Sequence, residues 1–502
     1  MAGLISARKR ATTLALVNGY GSKISNPRIR HFLLRELMAL VRSEIRRTHG
    51  SRSGKRGPGR AADRFARAQS RKVKKQVEKQ LGFTKRQFGL LSKATLMRRF
   101  RSSELLDALD PGRQSRWINV VKRPIRDENA PLPSVELKNF DLIRFPHETL
   151  DTLAEISKVE GQELVARLDF LDKHVNDAGA FLVLAEIWPA ITASFSHGRM
   201  EASIQKVVSA IGLDRELGVQ LPAVSNHDDV WAFPAERRRP KGTTKDPDAE
   251  LSPTDRDKLA TRFCSLVDGW LCVPNDPECE DAGYELTIDA KSHLALLIGE
   301  VLCNAERHSQ PGSDDGDWST TAFMVRRQRD DGEWELLCHM AFLSVGQSMA
   351  DSLQEASPEV RKFVDSYTSM HRRCGLRQDT LETIVALQDA VTGNAEAYED
   401  TRGGFGLQDV LAFINDLAEN DKTGKEAKVT ILSGNSCIQL STPHLAGKRE
   451  ALGEKRLHWC NVENKREQAP DPAMVSDLKR RFAGTLVTVA FTLDNNYVDS
   501  SE

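Results

Sequence analysis

Ala295-Leu-Leu-Ile-Gly-Glu-Val-Leu-Cys-Asn-Ala-Glu-Arg-His308 is the stretch on which the reading of the fold turns, together with Gly403-Gly-Phe-Gly-Leu407 about a hundred residues later. At about 100° of rotation per residue, a helix over 291–308 puts Glu300, Asn304, Arg307 and His308 on one stripe. Leu294, Ile298, Val301, Leu302 and Ala305 fall on the opposite stripe. Such a helix lies on a sheet by its apolar side and offers its polar side to a ligand. A carboxylate and a carboxamide there suit Mg²⁺, a hard cation that takes oxygen ligands and keeps waters beside phosphate oxygens. Arg307 is placed to meet phosphate. The alternative reading of the helix alone is a solvated surface face.

The chain has 502 residues, long enough for two to four domains. Its net charge of zero conceals a division, because residues 1–127 hold 32 Lys plus Arg against 8 acids and the remainder 39 against 63. The eight cysteines contain no C-x-x-C pair, and the spacing of Cys264, Cys272 and Cys279 matches no zinc or disulfide pattern. No apolar run reaches the roughly 20 residues of a membrane span, and the N-terminus lacks the apolar core of a secretory signal. A cytoplasmic protein with no membrane partner is the expectation.

Residues 28–47 and 62–81 read as basic helices around a Gly/Ser/Arg stretch, so 1–127 is expected to be a basic helical region. Its charge suits nucleic acid through phosphate contacts, or the acidic remainder of the chain, or an acidic partner. Few aromatics interleave with the charges, so base stacking is not indicated.

A small α/β domain is expected over 128–225. Asp141–Phe145 and Leu164–Phe170 have strand character, Asn176–Gly179 reads as a turn, and helices are expected over 180–188 and 200–212. This arrangement resembles a STAS domain, the fold of anti-anti-sigma factors, over about 90 residues, a likeness of fold and not of activity. That family carries a phosphoacceptor turn of Asp-Ser-Gly type. Here the turn is Asp177-Ala178-Gly179, with no hydroxyl to phosphorylate. A linker is expected at 226–254, around Glu236-Arg-Arg-Arg-Pro240.

From 255 to 495 the expected order is helix (255–271), helix (291–308), strand (318–328), a turn at Asp330-Asp-Gly332 and strand (333–343). Then come Ser344-Val-Gly-Gln-Ser348, a long polar helical stretch to about 400, a helix opened by the glycine run, and strands near 428–433 and 484–493. This order resembles the ATP-binding domain of the gyrase, heat-shock chaperone, histidine kinase and mismatch-repair (GHKL) superfamily, an α/β sandwich of the Bergerat type, over about half the chain. Glu300-x-x-x-Asn304-Ala305 fits that family's asparagine box, and Gly404-Phe405-Gly406-Leu407 fits the end of its second glycine box. Gly484-Thr485 before the last strand is similar too.

The resemblance implies ATP and Mg²⁺ as ligands. Asn304 would hold the metal, and Glu300 would orient or deprotonate the attacking group. Gly403, Gly404, Phe405, Gly406 and Leu407 would line phosphate, with Arg307, His308 and Arg402 close by. Residues 350–402 would form a lid. Ser344 stands where the family has an Asp that accepts the adenine amino group, followed by Gly346; a hydroxyl can still accept that bond. Arg402 replaces an opening glycine. The implied activity is an ATPase acting as a conformational switch with a protein partner or a second copy, of the kind found in bacterial regulatory or anti-phage defence systems. Two alternatives stand beside it: a protein kinase of anti-sigma or histidine-kinase type, and a weakly active nucleotide sensor or scaffold. His147-Glu-Thr-Leu-Asp superficially resembles a phosphoacceptor histidine motif and is read as a decoy.

Overall fold

The computed structural model describes residues 97–99, 103–113, 117–119, 133–159, 166–217, 228–238, 256–273, 288–309, 318–328, 334–389, 406–419, 427–449 and 456–493, with the single positions 221, 332 and 391. Side chains of some residues within these stretches, Glu300, Arg307 and His308 among them, lie outside that description. The basic helices expected over 28–47 and 62–81 also lie outside it. Two short strands there, β1 (Met97–Arg99) and β2 (Trp117–Asn119), pair antiparallel.

The rest is mixed α/β. A three-stranded parallel sheet joins β3 (Ser134–Leu137), β4 (Ala166–Phe170) and β5 (Phe195–Arg199). A five-stranded sheet follows the order β6-β7-β8-β12-β9, with every pairing antiparallel. Its strands are β6 (Val230–Arg238), β7 (Trp318–Gln328), β8 (Trp334–Ser344), β9 (Lys428–Ser441) and β12 (Val475–Leu493). Between β9 and β12 lies the short hairpin β10 (Lys448–Arg449) and β11 (Arg456–Leu457).

The helices divide between the two faces of the five-stranded sheet. On one face lie α1 (Glu104–Leu109), α2 (Pro146–Val159), α3 (Ala178–Ile191), α4 (Ala202–Ala210) and α5 (Leu213–Leu217). On the other lie α6 (Arg256–Leu271), α7 (Ile288–Ser309), α8 (Met349–Ser352), α9 (Pro358–His371), α10 (Gln378–Ala386) and α11 (Gly406–Glu419). Strand alternation sorts the side chains: Leu336, Cys338, Met340 and Phe342 of β8 join the core under α7, and Ala341 and Leu343 join the core under α3.

The expected helices at 255–271 and 291–308 and the 318–344 hairpin are present, and the two last strands run longer than their apolar centres suggested. Three expectations are corrected. Asp141–Phe145 is a turn and not a strand, because the Asp141 carboxylate accepts the amides of Ile143 (2.8 Å) and Arg144 (3.0 Å) and bends the chain. Residues 230–238 of the expected linker form β6, whose Val230-Trp-Ala-Phe233 run pairs with β7; Pro234 falls at a register shift on this edge strand, where a missing donor is tolerated. The middle segment is not a detached domain. Helix α3 is buried along almost its whole length and packs on β7, β8 and β12, so 133–217 and the C-terminal sheet share a core.

Gly179 and Gly484 are required by close approach. A Cβ on Gly179 would stand 2.8 Å from Thr488 Cβ, which is how α3 starts directly on β12. Gly484 has φ +102, and a Cβ there would lie 2.0 Å from the Ser344 carbonyl oxygen. Gly484→Ala is therefore expected to lower stability by about 2–3 kcal/mol, since it combines left-handed strain with a backbone clash. A shift of the urea midpoint at constant m-value measures it, and an unchanged midpoint would refute the strain.

Candidate functional site

Helix α7 is the centre of the candidate site. Leu294, Ile298, Val301 and Leu302 are buried, and Ala305 packs against the same core, as the periodicity of the sequence requires. Asn304 is half-buried. Glu306 is buried and its carboxylate accepts the Trp318 indole N–H at 3.0 Å, a bond that fixes α7 against β7. Helix α11 opens at Gly406 and lies against α7. Its Val410, Leu411 and Ile414 enter the same core, and Leu407 packs on it.

Beneath these helices the sheet carries a polar row. Trp318 of β7 pairs with Ser344 of β8, Ser344 with Thr485 of β12, and Thr485 with Ser433 of β9. By strand alternation Trp318, Ser344 and Thr485 stand on the α7 side, with Met340, Phe342 and Val487. Ser344 is buried, the hydroxyls of Thr485 and Ser433 are 2.8 Å apart, and Ser433 accepts the Met349 amide at 2.8 Å. Met349 follows Ser348, which caps α8 through Asp351; Asp351 in turn is paired with Arg481. Gly346 has φ +137 and turns the chain out of β8. The row thus holds neutral hydroxyls where a carboxylate-based acceptor would carry charge.

The residues singled out by sequence fall into three groups. Asn304, Ser344, Gly346, Gly406 and Leu407 belong to elements on this one face of the sheet. Glu300, Arg307 and His308 stand on α7, without description of their side chains. Arg402, Gly403, Gly404 and Phe405 lie outside the described residues. The expected lid at 350–402 is corrected in extent. Val360, Val364, Tyr367, Leu381, Ile384 and Val385 are buried in the core beside α7, and the Asp477 carboxylate accepts both the Thr380 hydroxyl (2.6 Å) and the Arg377 amide (3.1 Å). Burial of these large side chains holds the helices in the core beside α7.

His147 lies on the other side of the sheet. It sits on α2, with Nε2 3.3 Å from the Ser476 hydroxyl of β12, away from α7.

Sequence reasoning missed a second polar centre. Asp177 is fully buried at the start of α3 and accepts four donors: the amides of Leu142 (2.8 Å), Gly179 (2.7 Å) and Ala180 (2.9 Å), and the Thr488 hydroxyl. Burial, then the nearby Asp141 carboxylate, push its pKa up to about 6, against the downward pull of Thr488 and the amides. Burial also raises Asp141, while Arg144 and the amides it receives pull it down. The sequence signal is an Asp two residues before Gly179 at a helix start, an N-cap pattern.

Seven cysteines are described, all as free thiols; no His/Cys/Asp/Glu cluster able to hold a metal occurs among the described residues, and no described helix is long and apolar enough to cross a membrane. No protein-family model, curated protein or solved structure matches this chain.

Proposed function

We propose that this chain binds Mg·ATP in the manner of the GHKL superfamily and uses it as a conformational switch, with Bergerat-type architecture in residues 230–493 and a STAS-like segment packed on the opposite face. One observation carries the reading. Two segments a hundred residues apart in sequence, α7 with Glu300 and Asn304 and α11 opening at the glycine run, lie side by side over the sheet row that holds Ser344. In this reading the purine lies against Ser344 and Thr485, and the phosphates reach the glycine run, where amides at a helix start favour anions. Asn304 would hold Mg²⁺ through its carboxamide oxygen, and Glu300 would activate water. When bound, the metal neutralises charge on the phosphates. The partner of the switch is a protein or a second copy of the chain. The basic N-terminal region supplies phosphate contacts to nucleic acid.

The test is thermal stabilisation and phosphate release with ATP, GTP and ADP, with and without nucleic acid. Wild type is expected to gain stability with millimolar Mg·ATP, and Asn304→Ala to lose that gain while keeping its nucleotide-free melting temperature. A wild-type protein that neither warms nor stabilises under ATP would remove the proposal and leave a scaffold.

A further inference from the structure

The hydroxyls of the sheet row under α7 have a hydrogen-bond pattern with more than one solution. Ser433 is fully buried, and its oxygen accepts the Met349 amide at 2.8 Å. Its single hydrogen has two acceptors within reach, the Thr485 hydroxyl at 2.8 Å and the Gly484 carbonyl at 3.4 Å. Turned to Thr485, it releases the Thr485 hydrogen to donate elsewhere. Turned to Gly484, it lets Thr485 donate to Ser433 and leaves a Thr485 lone pair on offer. Thr485 is only half-buried, so the row is not sealed beneath the helices. Ser344, its neighbour across the β8–β12 pairing, is 6 % exposed, and among the described residues its hydroxyl has no partner.

The groups of fixed polarity in the turn after β8 are already engaged. The Ser348 amide and hydroxyl both donate to the Asp351 carboxylate, at 3.0 and 2.7 Å, and that carboxylate is paired with Arg481. The Met349 amide is held by Ser433. The row therefore offers a ligand two hydroxyls, Ser344 and Thr485, each able to donate or accept.

A carboxylate in their place would accept only, favouring the amino edge of adenine and repelling the carbonyl edge of guanine. A hydroxyl whose hydrogen can swing meets either edge. Resting on the nucleotide reading above, we infer that this row makes the site a receptor for both amino- and oxo-purine triphosphates, ATP and GTP alike. Ser433 is the positioning residue that lets Thr485 change between donor and acceptor.

Calorimetry on the full chain with Mg·ATP, Mg·GTP and Mg·CTP, for wild type, S344D and T485V, tests it. Wild type is expected to bind ATP and GTP within about tenfold of each other, and CTP more than about tenfold more weakly than either, because the smaller ring leaves the buried hydroxyls unpaired. S344D is expected to shift the balance toward ATP by roughly tenfold, since its carboxylate accepts the adenine amino group and repels the guanine carbonyl. T485V, which removes a hydroxyl and keeps the branched shape, is expected to weaken ATP and GTP by the same factor, roughly two- to tenfold. A wild-type preference for one purine beyond about tenfold, CTP bound within about tenfold of ATP, or an S344D balance that stays put or moves toward GTP would overturn the inference while leaving the nucleotide reading in place. A wild-type chain that binds none of the three overturns both. If S344D melts early, T485V decides: equal weakening of ATP and GTP upholds the row as a reader of either edge, and a loss confined to one of them, or to neither, refutes it.

Discussion

Asp177→Ala is expected to cost about 3–5 kcal/mol of folding stability, since it strips a helix cap and leaves buried donors unpaired at about 1–3 kcal/mol each, less whatever relaxation recovers. The four donors come from three places: the 140–145 turn through Leu142, the first turn of α3 through Gly179 and Ala180, and β12 through Thr488. One carboxylate therefore joins the parallel-sheet segment to the C-terminal sheet. The substitution should reduce the urea midpoint without changing the class of fold, and a midpoint within error of wild type would show that the network is dispensable.

A pH signature accompanies it. Asp177 holds its proton up to about pH 6 in the folded chain, above its ordinary 3.8, so folding takes up a proton between these values. The unfolded state then binds fewer protons than the native one, and stability falls as pH rises through that window and levels off above it. Urea midpoints at pH 4.5, 6 and 7.5 should decline in that order for wild type, with a shallower slope in Asp177→Ala, where Asp141 loses its neighbouring charge as well.

How much of this was legible in the sequence depends on whether an element owes its form to local pattern or to distant contacts. Helix α7 was legible because Leu294, Ile298, Val301 and Leu302 recur at helical spacing, and the β7–β8 hairpin because two β-rich runs flank Asp-Gly. The row Ser344–Thr485–Ser433 was only half legible. Ser344 and Thr485 were marked by neighbouring motifs, whereas Ser433 enters through a strand register that no local pattern specifies. The 141–145 stretch misled for a definite reason. Leu142, Ile143 and Phe145 have strand propensity, yet Asp141 supplies a local acceptor that competes with any ladder, and Leu142 and Ile143 are buried from a turn instead. The linker reading of 226–254 gave weight to three arginines and overlooked the apolar run immediately before them. Residues 350–389 look polar in sequence, yet Val360, Val364, Tyr367, Leu381, Ile384 and Val385 enter the core, while Met370 stays exposed.

Glu300→Ala is expected to separate binding from turnover more sharply than any other substitution in the site. Glu300 precedes Asn304 by one helical turn on α7, which sets the two positions about 6 Å apart along the axis. A carboxamide at the second position can ligate a metal, and a carboxylate at the first can take a proton from a water beside the terminal phosphate. Losing a general base of this kind lowers kcat roughly 10²–10⁴-fold. Ground-state affinity should not fall, because a carboxylate beside a polyphosphate repels it and its removal relieves that repulsion. Single-turnover assays with labelled ATP, read against the dissociation constant from calorimetry, resolve the two quantities, and label trapped on the protein instead of released as phosphate would shift the reading from hydrolase to kinase. Turnover equal to wild type in Glu300→Ala would remove that residue from the chemistry. Parallel loss of binding and turnover would instead place it in the fold of α7, where a surface glutamate with no catalytic task would leave both quantities nearly untouched.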